Sequence, residues 1–357
     1  MFERIVVTGG SGFIGSALIR KLLIERNSII YNIDKKNPSD NAENIERKLN
    51  QNIKLTNRYK LCTCNLIEFE SLKKIIFDIK PDLIINLAAE THVDRSIDDP
   101  KNFLQSNILG TYNLIEIIRN YLKEFNNNKF KLIHVSTDEV FGSLGKYGQF
   151  KEDSPYKPNS PYSASKAASD HLVKAWYKTY SMPFIVTNCS NNYGPWQFPE
   201  KLIPLVIMKA LKNEKIPIYG DGMQIRDWLH VSDHVEALVQ IAEKGVIGKN
   251  YCIGGNSEMT NLDTINLICE YLDKINPKNE SHKNLITFVE DRPGHDSRYA
   301  IDASLLKNEI GWVPKVAFED GLRQTLKWYI DNQQWCENVL KESNYNFQRL
   351  GLQSFIS

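Results

Sequence analysis

A short apolar, β-branched run at 5–8 passes directly into Gly9-Gly10-Ser11-Gly12-Phe13-Ile14-Gly15, and the stretch that follows, 16–25, has helical periodicity. A glycine-dense turn between a strand and a helix narrows the possible folds more than any other feature of this chain. Glycine lets the backbone turn tightly and come close to a pyrophosphate, which the first amides and the dipole of the helix then stabilise. Gly10-x-Gly12-x-x-Gly15 fits the general dinucleotide fingerprint, and Gly9, Gly12 and Gly15 fit a wider-spaced version. The second β-rich run ends at Asp34, about twenty residues beyond the last glycine, where a carboxylate accepts hydrogen bonds from ribose hydroxyls. The same charge repels a 2′-phosphate, so the expected cofactor is NAD rather than NADP. Lys35 and Lys36 act in the opposite sense, since either can pair with a phosphate.

Runs at 4–8, 29–33, 59–64, 83–87, 132–136 and 184–188 read as buried strands separated by helical stretches. Strands joined through helices predict a parallel, doubly wound α/β sheet of the Rossmann type, with ligands at the carboxyl ends of its strands. Beyond about residue 193, Gly194-Pro195, Pro199, Pro204 and Pro217 interrupt the pattern, and helices are expected around 235–242 and 262–271. The expected organisation is a dinucleotide-binding domain over 1–190, a smaller mixed C-terminal lobe binding the substrate over 191–335, and a polar tail, 336–357, without a readable motif. Part of the chain must return to the first domain, because 184–188 precedes the breaks and a further strand-like stretch, 286–289, follows them.

Composition sets limits on partners. The 357 residues are 42% hydrophobic, enough for one large or two modest cores. Lys plus Arg (44) nearly balance Asp plus Glu (43), which gives no reason to expect a nucleic-acid or anionic-membrane partner and favours a small molecule. Met1-Phe2-Glu3-Arg4 lacks the apolar stretch of a signal peptide and no run approaches membrane-spanning length, so a cytoplasmic protein is expected. The six cysteines are scattered; Cys62 and Cys64 face the same way on a strand and read as reduced thiols. Neither they nor His92 and His295 have neighbours that complete a ligand set, and no metal is expected.

The run at 132–136 delivers Ser136-Thr137-Asp138-Glu139 to a strand end, and further on stands Tyr162-Ser163-Ala164-Ser165-Lys166. Residues four apart share a helix face. The Lys166 ammonium is therefore expected near the Tyr162 phenol, lowering its pKa from about 10. A phenolate placed there takes the proton from a sugar hydroxyl while hydride leaves the carbon for a nicotinamide.

Thr8 to Gly15 together with Tyr162-x-x-x-Lys166 resembles the extended short-chain dehydrogenase/reductase superfamily over most of the chain. Within it, five stretches resemble the dTDP-glucose 4,6-dehydratases: Ala88-Ala89-Glu90-Thr91-His92-Val93-Asp94-Arg95-Ser96, Ser136-Thr137-Asp138-Glu139-Val140, Ser190-Asn191-Asn192-Tyr193-Gly194-Pro195, Arg226-Asp227-Trp228 and Asp291-Arg292-Pro293-Gly294-His295-Asp296. The resemblance implies oxidation of a nucleoside-diphosphohexose at C4, loss of water across C5 and C6, and hydride return to C6. It implies Tyr162 as the C4 base, Thr137 as a hydrogen-bond partner of the C4 oxygen, Glu139 as the C5 base and Asp138 as the acid at the C6 oxygen. Elimination needs a base and an acid, and two adjacent carboxyls serve if their surroundings push their pKa values apart. A blander use of Asp138 and Glu139 is to cap the next helix.

For NAD, the matching positions are Gly9, Gly12, Phe13, Ile14 and Gly15 on the loop, Asp34 and Lys35 at the ribose, Asn65 and Leu66 near the adenine, then Leu87, Ala88, Ala89, Ser106, Asn192, Tyr162 and Lys166. For the sugar nucleotide they are Thr91, Thr137, Asn191, Lys201, Leu202, Pro217, Ile218, Tyr219, Arg226, Asn261, Arg292 and His295, with Lys201, Arg226 and Arg292 available to a diphosphate. Three departures stand out: Phe141 replaces the usual Tyr, Asn65 replaces the usual Asp, and 34–52 carries a polar Lys35-Lys36-Asn37-Pro38-Ser39 loop. The resemblance also implies a homodimer that pairs helices near 103–122 and 163–180, although Leu104, Ile108, Leu114 and Ile118 can equally be core.

Rival readings share part of this pattern. A UDP-sugar 4-epimerase would use the same fold, and Asp138-Glu139 argues against it. A dehydratase of UDP-glucose or another nucleotide sugar stays open, since thymine and uracil differ by a methyl that a pocket discriminates by only about 1–3 kcal/mol. A catalytically silent NAD-sensing module has no need of Tyr162, Lys166 and the carboxylate pair, all of which are present.

Overall fold

Every residue of the strands 83–86 and 184–189 is buried, the condition of strands covered on both faces by helices. The computed structural model describes residues 2–35, 41–50, 52–277, 279–343, 345 and 347. Lys36 and its neighbours through Asp40, and the tail from 348 onward, lie outside the described residues.

In chain order the first strands are β1 (Arg4–Thr8), β2 (Ile29–Asp34), β3 (Tyr59–Thr63), β4 (Leu83–Asn86), β5 (Lys131–Thr137) and β6 (Phe184–Cys189). They are followed by β7 (Asn191–Tyr193), β8 (Ile216–Tyr219), β9 (Ile225–His230), β10 (Asn250–Ile253), β11 (Glu258–Thr260) and β12 (Ile286–Val289). Seven of them form one parallel sheet in the order β10-β6-β5-β4-β1-β2-β3. The chain winds outward from β1 to β3 and then in the other direction from β4. The reversal leaves a crevice beyond the carboxyl ends of β1 and β4, where a doubly wound sheet binds its ligand. Helices Phe13–Glu25 and Val231–Lys244 close one face through Leu18, Ile19, Val235 and Leu238. Phe69–Ile79, Gly110–Phe125 and Pro161–Tyr180 close the other through Leu72, Ile76, Leu114, Ile118 and Val173.

The expected return to the large sheet is made by a different segment. The stretch 286–289 is a strand, β12, but it pairs with β8 in the second lobe and exposes Phe288. The returning strand is β10, parallel to β6 with Tyr251, Cys252 and Ile253 fully buried. Three apolar residues between Asn250 and Gly254 are too short a run to announce a strand.

The second lobe packs helices Leu202–Leu211, Asn261–Ile275 and Phe318–Asp331 around Trp228, Ile265 and Leu326. Its boundary does not fall at 335. The helix Gln333–Glu342 places Trp335, Cys336 and Val339 in the same core, so the first part of the supposed tail belongs to this lobe. All six cysteines are free, and Cys62 and Cys64 pack against a common cluster. Among the described residues no helix is long and apolar enough to cross a membrane, and no group of three His, Cys, Asp or Glu side chains could hold a metal ion.

Candidate active site

The glycine loop is built by backbone hydrogen bonds. The Gly9 amide donates to Ile33 O at 3.0 Å, Gly12 to Gly9 O at 3.1 Å and Ser16 to Gly12 O at 2.9 Å, folding the turn back onto β2 before the helix begins. A Cβ on Gly15 would stand 2.2 Å from Gly9 O, so the turn closes only around glycine. Gly12 is the N-cap of helix Phe13–Glu25 and provides no side-chain cap, which leaves the first-turn amides for an anion. Asp34 Oδ2 accepts the Ser11 amide at 2.8 Å and ties the loop to the end of β2. The Lys35 ammonium pairs with Glu90 across the crevice mouth. Asn65 Oδ1 accepts the Ile67 amide at 3.2 Å and still has a lone pair for an adenine amine.

Every expected NAD position lines one cleft of about 1030 Å³. Ser106 reaches it from a π-helical turn, Leu104–Leu109, whose buried Asn107 holds the Glu90 backbone by accepting its amide at 2.8 Å and donating to its carbonyl at 3.0 Å. A glycine cradle at a helix start, a carboxylate at the end of β2 and an amide at the end of β3 form a donor and acceptor set that fits NAD.

The proton-handling groups meet at the floor of this cleft. β5 ends at Thr137, whose hydroxyl accepts the Glu139 amide at 3.3 Å and so caps the short turn Asp138–Phe141. Thr137 is therefore the cap, and both carboxylates are free of that structural duty. Thr137 Oγ1 also donates to Asp138 Oδ1 at 3.2 Å, while the buried Asp138 Oδ2 has no hydrogen-bond partner. The two carboxyls differ in environment. Burial, then Glu139 and Asp227, push Asp138 well above the usual carboxylate range. Burial also raises Glu139, with Arg292, Lys201 and Arg226 opposing part of that rise.

Tyr162 and Lys166 enter on helix Pro161–Tyr180, started by a capping box between Ser160 and Ser163. The Tyr162 amide donates to Ser96 Oγ at 3.1 Å and its ring meets Phe103 edge-on. Lys166 Nζ donates to Val135 O at 2.9 Å. The expected lowering of Tyr162 by Lys166 is not what the protein groups alone produce. Burial and the Glu139 charge hold the phenol well above its ordinary value, with a hydrogen bond from Thr137 opposing them.

The sugar-nucleotide positions divide. Thr91, Asn191 and Lys201 line the cleft, and Lys201 Nζ donates to Thr91 O at 2.8 Å. Others form a linked polar network in the second lobe. Asn261 donates to Gln224, Gln224 to Asp291 at 3.0 Å, and His295 Nδ1 lies 2.6 Å from Asp291. The His295 ring meets Tyr219, whose hydroxyl donates to Asp94 at 3.0 Å, and Arg292 donates to the same carboxylate at 2.8 Å. Burial, then Arg292 and Arg226, lower His295 to about 4, so it is neutral at physiological pH. Arg226 lies over the Tyr299 ring at 4.4 Å and donates to Asp296 O at 3.0 Å. Pro217 stands opposite Thr287 where β8 pairs with β12, Leu202 packs on the lobe core, and Ile218 is buried within that core.

Sequence reasoning missed Glu200 and Tyr345. Glu200 lines the cleft beside Lys201, held by Arg95 at 2.8 Å. Tyr345 lines it too, reached by the chain turning back beyond helix Gln333–Glu342, with its ring near Phe198 and Arg95. Neither stands in a motif, and only the fold brings them there.

A family model described as GDP-mannose 4,6 dehydratase matches residues 6–325. A dTDP-glucose 4,6-dehydratase from Neisseria meningitidis is 47% identical, covering 98% of this chain and 99% of its own length. Among solved structures, dTDP-glucose 4,6-dehydratase from Bacillus anthracis in complex with NAD is similar with a TM-score of 0.82 at 42% identity, over 94% of this chain and 99% of that one. A dTDP-glucose 4,6-dehydratase from Streptomyces venezuelae with NAD bound gives a TM-score of 0.85 at 35% identity, over 94% and 99%.

Proposed function

The chain belongs to the GDP-mannose 4,6-dehydratase family, and we propose that within it the protein is an NAD-dependent hydro-lyase converting dTDP-glucose to dTDP-4-keto-6-deoxyglucose. The observation that carries this reading is the unequal environment of the adjacent Asp138 and Glu139 at the end of β5, next to Tyr162. An enzyme that only oxidised and reduced C4 would have no use for such a pair.

Gly9, Gly12, Asp34 and Asn65 would hold NAD, which when bound would supply the hydride acceptor for C4, the hydride for C6 and, while oxidised, a positive charge. Tyr162 takes the proton of the C4 hydroxyl, and the Thr137 hydroxyl holds the C4 oxygen. A hydrogen α to the resulting ketone is acidic enough for a carboxylate base. Glu139, with Arg292, Lys201 and Arg226 favouring its ionised form, takes that proton from C5. Asp138, kept protonated by burial and its carboxylate neighbours, gives its proton to the C6 oxygen, which departs as water. Glu139 then returns a proton to C5. Lys201, Arg226 and Arg292 are the cations offered to the diphosphate, and the network from Asn261 to Tyr219 frames the nucleoside. With substrate deuterated at C4, the label is expected in the C6 methyl group of the product; its loss to solvent would contradict internal hydride return.

The reading extends to assembly and location. Leu114 and Ile118 are core, but Leu104, Leu109, Tyr112 and Tyr180 stay 40% or more exposed on the helices flanking the cleft. Tyr112, Trp176 and Tyr180 join into one aromatic face. Such a face on a pair of helices supports a homodimer formed through a four-helix bundle. The six free cysteines support a reducing, cytoplasmic setting.

A further inference from the structure

Asp94 is fastened to the second lobe at both of its carboxylate oxygens. Oδ1 accepts from Arg292 Nη1 at 2.8 Å and Oδ2 from the Tyr219 hydroxyl at 3.0 Å, partners 198 and 125 residues away along the chain. Asp94 is only 7% exposed, so these bonds differ from a surface ion pair, which contributes little. The helix that carries it, Val93–Asp98, is fastened to the catalytic side as well. Its fully buried Ser96 accepts the Tyr162 amide at 3.1 Å and donates to Val93 O at 2.6 Å. That amide lies in the first turn of helix Pro161–Tyr180, where an N–H has no partner within its own helix. One short helix therefore ties the start of the Tyr162 helix to two second-lobe side chains.

Given the function proposed above, the substrate gives this arrangement a use. A nucleoside-diphosphohexose carries its diphosphate on C1 and its reacting hydroxyl on C4, at opposite ends of a six-membered ring. Catalysis needs the separation between the diphosphate cations and Tyr162 to match that spacing, and a misplacement of about 1 Å costs on the order of a hundredfold in rate. Arg292 commits Nη1 to Asp94, while its Nε is buried without a hydrogen-bond partner and is left for a phosphate oxygen.

We propose that Asp94 is a positioning residue, and that with Ser96 it makes helix Val93–Asp98 a spacer setting Arg292 and Tyr219 at a fixed distance from Tyr162. Asp94 itself does not touch the substrate. It acts through the two bonds it accepts rather than through its charge, which alone repels a diphosphate.

The test compares Asp94→Ala, Asp94→Asn, Ser96→Ala and Tyr219→Phe with the wild type as NAD-loaded enzymes, using kinetics with dTDP-glucose and calorimetry with dTDP. Asn preserves both bonds, since its Oδ1 accepts from Arg292 and its Nδ2 donates to the Tyr219 hydroxyl. Asp94→Asn should therefore bind dTDP at least as tightly as the wild type and keep most of its turnover. Asp94→Ala should bind dTDP about tenfold more weakly, the scale of a lost hydrogen bond to a charged group, and lose about a hundredfold in kcat/KM. Its NAD affinity should not change. Tyr219→Phe, which gives up one of the two bonds and leaves the helix intact, should weaken dTDP binding to a smaller extent. Ser96→Ala loosens only the Tyr162 end, so kcat should fall while dTDP affinity holds.

Wild-type dTDP affinity in both Asp94→Ala and Tyr219→Phe would overturn the proposal. So would an Asp94→Asn enzyme as impaired as Asp94→Ala, which would make the charge the active feature, or an equal loss of NAD affinity, which would reduce Asp94 to a general structural role. A wild-type enzyme that binds no dTDP or forms no 6-deoxy product refutes the dehydratase reading instead.

Discussion

A side-chain carbon on Gly9 would stand 2.7 Å from the Cα of Ala88, so the loops leaving β1 and β4 meet backbone to backbone where the sheet reverses its strand order. Gly9 also has φ +67°, a left-handed conformation that costs an L-residue about 1–2 kcal/mol. Gly9→Ala therefore meets both a strained backbone and a steric overlap at the floor of the NAD cleft. Its melting temperature should fall, and its dissociation constant for NAD in calorimetry should rise by at least about tenfold, the effect of 1.4 kcal/mol. Unchanged NAD affinity would contradict the role given to this turn.

Glu139→Gln separates oxidation from elimination. Tyr162 and Lys166 remain, so the absorbance of reduced nicotinamide should appear on mixing with substrate and persist. Formation of the 6-deoxy product should drop by about 10²–10⁴-fold, the usual range for removing a general base. Normal turnover would mean that C5 is deprotonated elsewhere.

Asp138 makes a stability prediction whose sign follows from its raised pKa. The folded protein holds this proton more tightly than the unfolded chain, so stability from Asp138 is complete below the unfolded carboxyl value of about 3.9 and is lost as pH rises towards the folded one. Asn has no proton to lose. The melting temperature of Asp138→Asn relative to wild type should therefore increase with pH above about 4, while dehydration is abolished. A difference that shrinks as pH rises would show that Asp138 is ionised in the fold.

Much of this was legible in the amino-acid order. The glycine turn, Asp34, the pair Tyr162 and Lys166, and the run Thr137-Asp138-Glu139 are local patterns with local causes, and the fold gathers all of them in one cleft. Less visible was anything decided by burial or by distant neighbours. β10 is a four-residue strand defined by its place beside β6, and the helix around Cys336 becomes core only because Trp196 and Trp328 lie opposite Trp335. The Tyr162 phenol is raised because the completed site buries it near Glu139, which helix spacing with Lys166 does not convey. Glu200 and Tyr345 reach the cleft through tertiary contacts alone.

The exposed face carrying Leu104, Leu109, Tyr112 and Tyr180 predicts self-association. Light scattering at micromolar concentration should give the mass of a dimer for the wild type and of a monomer for a Leu104→Glu, Tyr112→Glu double variant. Equal masses for the two proteins would remove this face as the interface.

Proton NMR of purified enzyme with dTDP-glucose and NAD tests the central claim most directly. The account predicts a new C6 methyl doublet together with loss of the C4 proton signal, faster than with UDP-glucose. Conversion to the galacto isomer, or an unchanged spectrum, would contradict it.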